Sequence, residues 1–215
     1  FHETWPIQHA EEAFGFAKVG QTIVNAPDAK IIRLYVDDEP LELSTADLVE
    51  YERTLDFRTG VLSRHVVWRT PSGKRVQVDS TRMVSFAQRH LAVMTFEVTM
   101  LDSSAPIAIS SQVLNRQDAD RGAAVELAEA AELASAPDPR KADLFHHRVL
   151  NPESEDLESG DLPGERMSLR FKCSESGMTI ALAVDHTLET ANDHSTAYER
   201  GEDIVKAIYR VNAEP

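Results

Sequence analysis

Several residue classes are scarce in this 215-residue chain, and each scarcity narrows the functions it can have. The single cysteine, Cys173, leaves no internal disulfide, which fits a reducing compartment and predicts a cytoplasmic protein. No stretch approaches the roughly 20 apolar residues that span a bilayer, and no charged-then-apolar signal segment opens the chain. Basic residues number 22 against 36 acidic ones, for a formal net charge of -14. Because this negative field repels phosphodiester backbones and anionic lipid, the sequence predicts neither nucleic acid nor membrane as a partner.

The acidic charge is concentrated in one insert around residues 117–165. This stretch contains thirteen acidic and four basic residues, so it carries -9 of the total charge. On either side the charge is nearly balanced, and apolar residues alternate with polar ones. The pattern predicts two β-rich blocks separated by a solvated acidic insert.

Strand signals dominate both blocks. Turns rich in Asp, Pro and Gly at Asp37–Pro40, Thr59–Gly60 and Pro71–Lys74 separate short runs of β-forming residues. The predicted strands are Ala29–Val36, Thr54–Phe57, His65–Arg69, Arg75–Asp79, Arg82–Phe86, Leu91–Met100, Pro106–Leu114, Met167–Cys173, Met178–Val184 and Asp203–Asn212. Many short strands at regular spacing favour two packed antiparallel sheets in one all-β domain spanning residues 1–215.

Helix signals are few, and we expect one or two short helices. Residues 123–134 are rich in Ala, Leu and Glu, but offer little to bury, so they predict a short exposed helix or an arm. Ser44–Asp47 resembles a capping box that opens a single turn.

Most candidate catalytic groups have a simpler structural explanation. No pair of the eight histidines has a metal-ligand spacing, and the adjacent His146 and His147 would face opposite ways on a strand. Asp185 and His186 with Ser195 could form a hydrolytic triad, but no Gly-x-Ser-x-Gly motif supports one. The predictions are therefore no metal, no cofactor and no catalytic residue in this chain.

Two further groups have the same kind of explanation. The acidic pairs Glu11-Glu12 and Asp37-Asp38 border turns, where solvated charge explains them better than glycosidic bond cleavage. Cys173 lies on the apolar face of a predicted strand, which favours a buried small side chain over a reactive thiol.

The first six residues form the one dense cluster of polar and aromatic side chains. Trp5, with His2 and Glu3 nearby, suits a sugar, through stacking on the ring and hydrogen bonds to hydroxyl groups. The alternative is that Trp5 and Pro6 close one end of the sandwich. We take His2, Glu3 and Trp5 as the candidate substrate-proximal residues.

At this cluster the sequence resembles a known family, the N-terminal domain of glycoside hydrolase family 65. The similarity covers most of the chain and is weakest in the acidic stretch after Leu150. The strings that carry it are Phe1-His2-Glu3-Thr4-Trp5-Pro6-Ile7, Glu11 to Ala17, Gly20 to Asn25, Pro27-Asp28, Leu55 to Leu62, Ser80 to Phe86, His90 to Val93, Ser110 to Asp118 and Asp138-Pro139-Arg140-Lys141.

The resemblance implies a large two-sheet super-sandwich of the galactose-mutarotase type, placed before an (α/α)6 catalytic barrel. The family includes maltose, trehalose and kojibiose phosphorylases, in which inorganic phosphate attacks an α-glucosidic bond with inversion while a glutamic acid of the barrel protonates the leaving sugar. No cofactor is implied. The implied partners are the chain's own C-terminal barrel, an α-linked disaccharide, phosphate and a second copy in a homodimer.

We expect this chain to be an inactive piece of such an enzyme, because it starts at Phe1 without a methionine and the barrel is absent from it. Its expected role is to support the barrel, the rim of the pocket and dimerisation. Two alternatives stay open: an independent carbohydrate-binding module, and a purely structural or dimerising domain. Which disaccharide is used, and whether it is cleaved by phosphate or water, also stay open.

Overall fold

The computed structural model describes residues 1–7, 9, 11, 13–115, 149–153 and 167–215. The predicted helix at 123–134 and most of the acidic insert lie outside these residues. Within the described part the chain is all-β and antiparallel, as predicted, and it contains no helix. None of its segments is therefore a helix that could cross a membrane.

The strands follow one another along the chain with short turns between most of them. They are β1 (His2–Pro6), β2 (Val19–Ile23), β3 (Asp28–Val36), β4 (Glu39–Pro40), β5 (Asp47–Asp56), β6 (Val61–Arg69), β7 (Arg75–Val84), β8 (Ala92–Met100), β9 (Ala105–Leu114), β10 (Leu150–Pro152), β11 (Met167–Cys173), β12 (Thr179–Val184), β13 (His194–Arg200) and β14 (Ile204–Ala213).

The chain divides into two compact units, each built from separated segments. The first unit comprises Phe1–Ile31, Ser111–Thr187 and Tyr198–Ala207, and the second comprises Ile32–Ser110, Leu188–Ala197 and Ile208–Pro215. A single domain over residues 1–215 stays a prediction.

The first unit contains two small sheets. Strands β1 and β2 pair antiparallel, and β10, β11 and β12 form a three-stranded sheet in that order. Alternation along β11 places one face in the interior, as predicted, because Met167, Leu169, Phe171 and Cys173 are buried while the residues between them are not. Burial raises the pKa of the Cys173 thiol, which agrees with the expectation of an unreactive side chain.

The second unit is a sandwich of two sheets. One sheet has the order β5-β6-β7-β8, and the facing residues come from those parts of the five-stranded sheet of order β13-β14-β9-β3-β4 that fall within this unit's segments. Side chains of both sheets form one core, centred on Trp68, which is 2% exposed. The buried members of this core are Leu34, Val36, Val66, Trp68, Val76, Val78, Met100, Ala105, Ile107, Val211 and Ala213. The predicted two-sheet packing is thus confirmed for this unit.

Two turns of the second unit show why their sequences form hairpins. Asp37 and Asp38, both at positive φ (50° and 65°), are the two loop residues between β3 and β4, where Val36 pairs with Glu39. Positive φ at both loop residues is the geometry that joins twisted strands tightly, and aspartate tolerates it better than most residues. Between β6 and β7, Gly73 has a φ of 89° and donates its N–H to the Thr70 carbonyl at 2.8 Å.

The structure departs from the predicted elements in several places. Strand β7 runs unbroken from Arg75 to Val84, so the predicted strand at Arg82–Phe86 is the end of its predecessor. A turn was expected to begin at Ser44. In the structure the Ala46 N–H donates a hydrogen bond to the Glu42 carbonyl at 2.8 Å, so the turn begins two residues earlier, and β5 follows immediately after it. Strands β1, β2, β4, β10 and β13 were not predicted, because they lack an alternating apolar pattern or are very short, and β4 lies in the predicted turn Asp37–Pro40. Strand β5 begins at Asp47, well before the predicted strand at Thr54–Phe57.

A histidine bracketed by carboxylates lies on the face of β5–β7 opposite the core. The Nδ1 atom of His65 is 2.7 Å from an Asp79 oxygen, and its Nε2 atom is 3.6 Å from a Glu50 oxygen. The hydrogen bond with Asp79 raises the pKa of His65 above its ordinary 6.5, because it favours the charged ring. Glu52 is the residue directly opposite His65 in the strand register.

The raised pKa predicts a pH-dependent contribution to stability. Protonated His65 stabilises the folded chain fully below its unfolded pKa of 6.5, and the contribution is lost as pH rises through the raised folded-state value. The His65→Gln variant should therefore be less stable than the parent at about pH 5.5 and nearly equal to it at about pH 8.5. Urea unfolding at both pH values measures the difference. The same change at His90, an exposed turn residue, is the control, and an equal penalty at both pH values would contradict the assignment.

Candidate functional site

The predicted N-terminal cluster forms strand β1, where each of its three side chains has a different environment. Glu3 is 3% exposed, whereas His2 and Trp5 are half-buried. The register places Trp5 directly opposite Gly20 of β2. A side chain at position 20 would collide with the indole ring, so glycine is the residue that lets the ring lie across β2.

The Glu3 carboxylate is surrounded by backbone N–H groups. It accepts hydrogen bonds from the N–H groups of Thr4 at 2.8 Å, Glu175 at 3.1 Å and Ser176 at 2.6 Å. The Ser176 hydroxyl in turn donates to the His2 carbonyl at 2.7 Å. The turn between β11 and β12 therefore forms an anion-binding nest, and the anion that fills it is the chain's own Glu3.

This environment sets the protonation of Glu3. Burial by itself would raise the pKa of the carboxyl, but the backbone N–H groups of Thr4, Glu175 and Ser176 hold it below its ordinary value of 4.5. The group therefore stays a charged acceptor and joins β1 to the β11–β12 turn. Trp5 differs, because its indole N–H is buried and has no hydrogen-bond partner among the residues that the structure describes.

A cavity of about 430 Å³ lies in the second unit, on the face of the five-stranded sheet opposite the core. Leu34, Val36, Val211 and Ala213 point into the core, so the residues between them point to the other face. The residues with polar side chains in the cavity's lining are Tyr35, Asp38, Asp193, His194, Ser195, Arg210 and Asn212. An aromatic ring with mixed donors and acceptors suits a neutral polyhydroxyl ligand better than a strongly charged one.

The residues of the considered triad fall in different units, with Asp185 and His186 in the first and Ser195 in the second. The His186 Nε2 atom is 2.8 Å from the hydroxyl of Ser111, a buried residue of β9, and Ser195 instead lines the cavity of the second unit. No group of histidine, cysteine or carboxylate side chains within the described ranges could hold a metal ion.

One end of the β5–β8 sheet is exposed and apolar. Because the strands are antiparallel, the β5–β6 and β7–β8 turns lie at the same end, and each carries a phenylalanine. Phe57 is 90% exposed and Phe86 is 96% exposed. We call this surface the apolar end; its exposed members are Leu55, Phe57, Met83, Val84, Phe86, Leu91 and Val93.

The opposite end of the same sheet is charged and paired. Arg75 bonds Asp102 at 3.1 Å, Lys74 bonds Asp37 at 2.6 Å, and Arg69 lies 3.5 Å from Asp47. One end of the sheet thus exposes apolar side chains and the other exposes paired charged ones, and the charged end is the one whose side chains are typical of a solvent-exposed surface. The sequence predictions made both phenylalanines the last residues of strands, at Thr54–Phe57 and Arg82–Phe86, whereas the structure places both in the turns that follow the strands. Aromatic side chains at turn positions, where polar ones are usual, were the available signal.

The contacts of Glu3 predict how stability depends on its charge. Glu3→Gln should cost about 1–3 kcal/mol near neutral pH, because an amide cannot replace a carboxylate that accepts several N–H bonds. The penalty should be fully present above pH 4.5 and disappear as pH falls through the lowered folded-state pKa. Denaturant unfolding from acid to neutral pH measures it, with the exposed Glu175→Gln as the matched control. A neutral-pH penalty no larger than that of the control would contradict the role given to Glu3.

Comparison with known proteins gives relatives that are named as disaccharide phosphorylases or glycosyl hydrolases. The alpha,alpha-trehalose phosphorylase of Thermoanaerobacter brockii is 31% identical over 218 residues, which cover 100% of this chain and 25% of that protein. An uncharacterized glycosyl hydrolase of Mycobacterium tuberculosis is 31% identical over 189 residues, covering 88% of this chain and 22% of that protein. The kojibiose phosphorylase of Escherichia coli is 35% identical over 91 residues, covering 42% of this chain and 12% of that protein.

A solved structure shares the fold. A human-microbiome protein assigned as a kojibiose phosphorylase superposes with a TM-score of 0.72 at 15% identity, over 99% of this chain and 24% of that one. The chain spans about a quarter of the length of the curated relatives that match most of it. The sequence model of the glycosyl hydrolase family 65 N-terminal domain matches residues 1–215. This chain therefore belongs to the family of glycosyl hydrolase family 65 N-terminal domains.

Proposed function

We propose that this chain is the non-catalytic N-terminal domain of an inverting disaccharide phosphorylase or glycoside hydrolase that acts on an α-glucoside. Its role is to hold the catalytic barrel and the rim of the substrate pocket. The barrel, an α-linked disaccharide and inorganic phosphate are the partners of the whole enzyme. The cytoplasmic location and the absence of a cofactor belong to the same proposal.

The apolar end of the β5–β8 sheet carries this proposal. Phenylalanine side chains that are 90% and 96% exposed are unfavourable in water, and apolar patches of this kind mark surfaces that other polypeptide covers. The matched relatives are about four times as long as this chain, so their chains contain a large additional body. We therefore assign the apolar end as the surface that packs against the rest of the enzyme.

The candidate substrate-proximal residues His2, Glu3 and Trp5 are not part of the apolar end. Glu3 is committed to the β11–β12 turn, so its carboxylate is not available to a sugar hydroxyl without breaking those bonds. Trp5 and its unpaired indole N–H are the part of the cluster that could still complete a pocket rim. That His2, Glu3 and Trp5 lie near substrate stays a prediction.

Serine substitutions at the apolar end test the docking role. In the longer enzyme, Phe57→Ser and Phe86→Ser should each cost about 1.5–3 kcal/mol and lower the melting temperature, because each ring is buried in the interface. In this chain alone, the same changes should leave the melting temperature nearly unchanged, because both rings are already in water. Scanning calorimetry measures both.

The matched control is Phe14→Ser, which replaces another fully exposed phenylalanine of the first unit. It should be neutral in the chain alone. If Phe57→Ser and Phe86→Ser are also neutral in the longer enzyme, the apolar end is not its docking surface.

A second candidate function, carbohydrate binding, is favoured by the cavity beside Tyr35. A sugar ring stacked on Tyr35 with hydrogen bonds to Asp38, Arg210 and Asn212 would fit the lining. Calorimetric titration of this chain with maltose and trehalose should then show binding that Tyr35→Ala abolishes. Tyr198→Ala, at an exposed tyrosine of the first unit, is the control. A silent titration with both sugars would remove this candidate.

A further inference from the structure

Three arginines lie side by side on the inner face of the β5–β8 sheet. Arg53 of β5 is paired with Arg64 of β6, and Arg82 of β7 is paired with Leu62, two residues from Arg64 on the same face. Arg64 shares this face with the core residues Val66 and Trp68 because side chains alternate along a strand. The arginines therefore continue the inner face beyond the point where the core ends.

The arginines surround a small cavity. It has a volume of about 200 Å³, and its lining consists of Arg53, Leu62, Arg64, Ser80 and Arg82. Arg64 and Arg82 are half-buried, and Ser80 is buried with 6% exposure. Arg53 is exposed. Three arginines, each with a donor-only guanidinium group, and the hydroxyl-bearing Ser80 thus line a space large enough for a small oxyanion.

None of the three arginines makes an ion pair or a hydrogen bond with any residue in the described ranges. Of the other strand arginines in the described ranges, Arg69, Arg75 and Arg170 have carboxylate partners, whereas Arg33, Arg200 and Arg210 make no ion pair there. The inner-face arginines differ from all of these because they line one cavity together.

The arrangement of three positive charges is electrostatically unfavourable. Burial lowers the pKa of Arg64, and the positive charges of Arg82 and Arg53 lower it further, with only Tyr51 acting in the opposite sense. An anion among the three guanidinium groups would reverse both effects, since it supplies charge-assisted hydrogen bonds and cancels the repulsion.

We propose that Arg53, Arg64 and Arg82 form a binding site for an oxyanion. Guanidinium groups bind carboxylate and phosphate oxygens in the same forked geometry, so the anion comes from one of two sources. It is either a free phosphate group or a carboxylate of the polypeptide that packs on the neighbouring apolar end. The second source rests on the proposed function.

Phosphate titration of this chain tests the free-anion source. Inorganic phosphate at low millimolar concentration, with ionic strength held constant by chloride, should raise the melting temperature in a saturable manner. Arg64→Gln and Arg82→Gln should each weaken the apparent affinity at least tenfold. Arg33→Gln, at an exposed arginine of β3, should leave the response unchanged, which controls for general salt effects on stability.

The variants remain informative if the parent chain shows no response. Without anion, Arg64→Gln should raise the melting temperature of the chain slightly, because it removes a half-buried charge from two like charges. In the longer enzyme, an internal carboxylate in the site predicts the opposite sign: Arg64→Gln lowers the melting temperature more than Arg33→Gln, and added salt reduces the difference.

Two results separate this inference from the docking role. If phosphate does not stabilise the chain, and Arg64→Gln equals Arg33→Gln in the longer enzyme, the oxyanion site is refuted whatever Phe57→Ser does. If phosphate stabilises the chain through Arg64 and Arg82 while the phenylalanine variants are neutral in the longer enzyme, the oxyanion site stands and the docking role fails.

Discussion

The alternation of side chains along β6 and β7 is the constraint on which the second unit depends. Val66 and Trp68 of β6 and Val76 and Val78 of β7 point to one face, where residues of the facing sheet cover them and close the core. The same alternation places Arg64 and Arg82 on the same face as these core residues. Both strands extend beyond the core, and in the part beyond it their inner face carries arginine side chains in place of apolar ones.

A bulge in β5 extends this constraint to a third strand. The register shifts between Leu48 and Glu50, so Leu48 opposite Trp68 and Tyr51 opposite Val66 share one face despite their odd spacing. Arg53 follows on that face and meets Arg64. Without the extra residue, Arg53 and Leu55 would point away from the arginine cavity, so a single backbone irregularity assembles the cluster.

The first unit is held together by a different kind of interaction. A buried carboxylate, Glu3, fills a nest of backbone N–H groups in the β11–β12 turn, which lies more than 170 residues later in the chain. Such a contact gives β1 a fixed position that its own sequence would not specify, because that strand is short and only partly buried. In the sequence, His2, Glu3 and Trp5 most resemble a sugar site. In the structure, Glu3 instead has a structural role, because it joins β1 to the β11–β12 turn.

The sequence allowed much of the fold to be predicted and little of the site. Strands with a clear period of two, such as β11 and β14, were found because each buries one face, as Phe171 and Tyr209 show. Strands β1 and β13 were missed because polar residues occupy them, and only pairing in three dimensions makes them strands. The arginine cavity could not be predicted, since it needs the bulge of β5 and the exact register of three strands.

The apolar end could have been suspected from two phenylalanines beside turns, but their exposure is a property of the folded sheet. The proposed function accounts for this exposure by packing against the rest of a longer enzyme, since the matched relatives are about four times as long as this chain. The inner face of the β5–β8 sheet therefore consists of a closed core, an arginine cluster and an open apolar end, in that order along the strands.

Hydrogen–deuterium exchange of the β5–β8 sheet tests this account most directly. We expect the backbone amides around Phe57 and Phe86 to exchange quickly in this chain alone and to be protected in the longer enzyme, while amides around Trp68 are protected in both. Equal and rapid exchange at the two phenylalanine turns in the longer enzyme would contradict it.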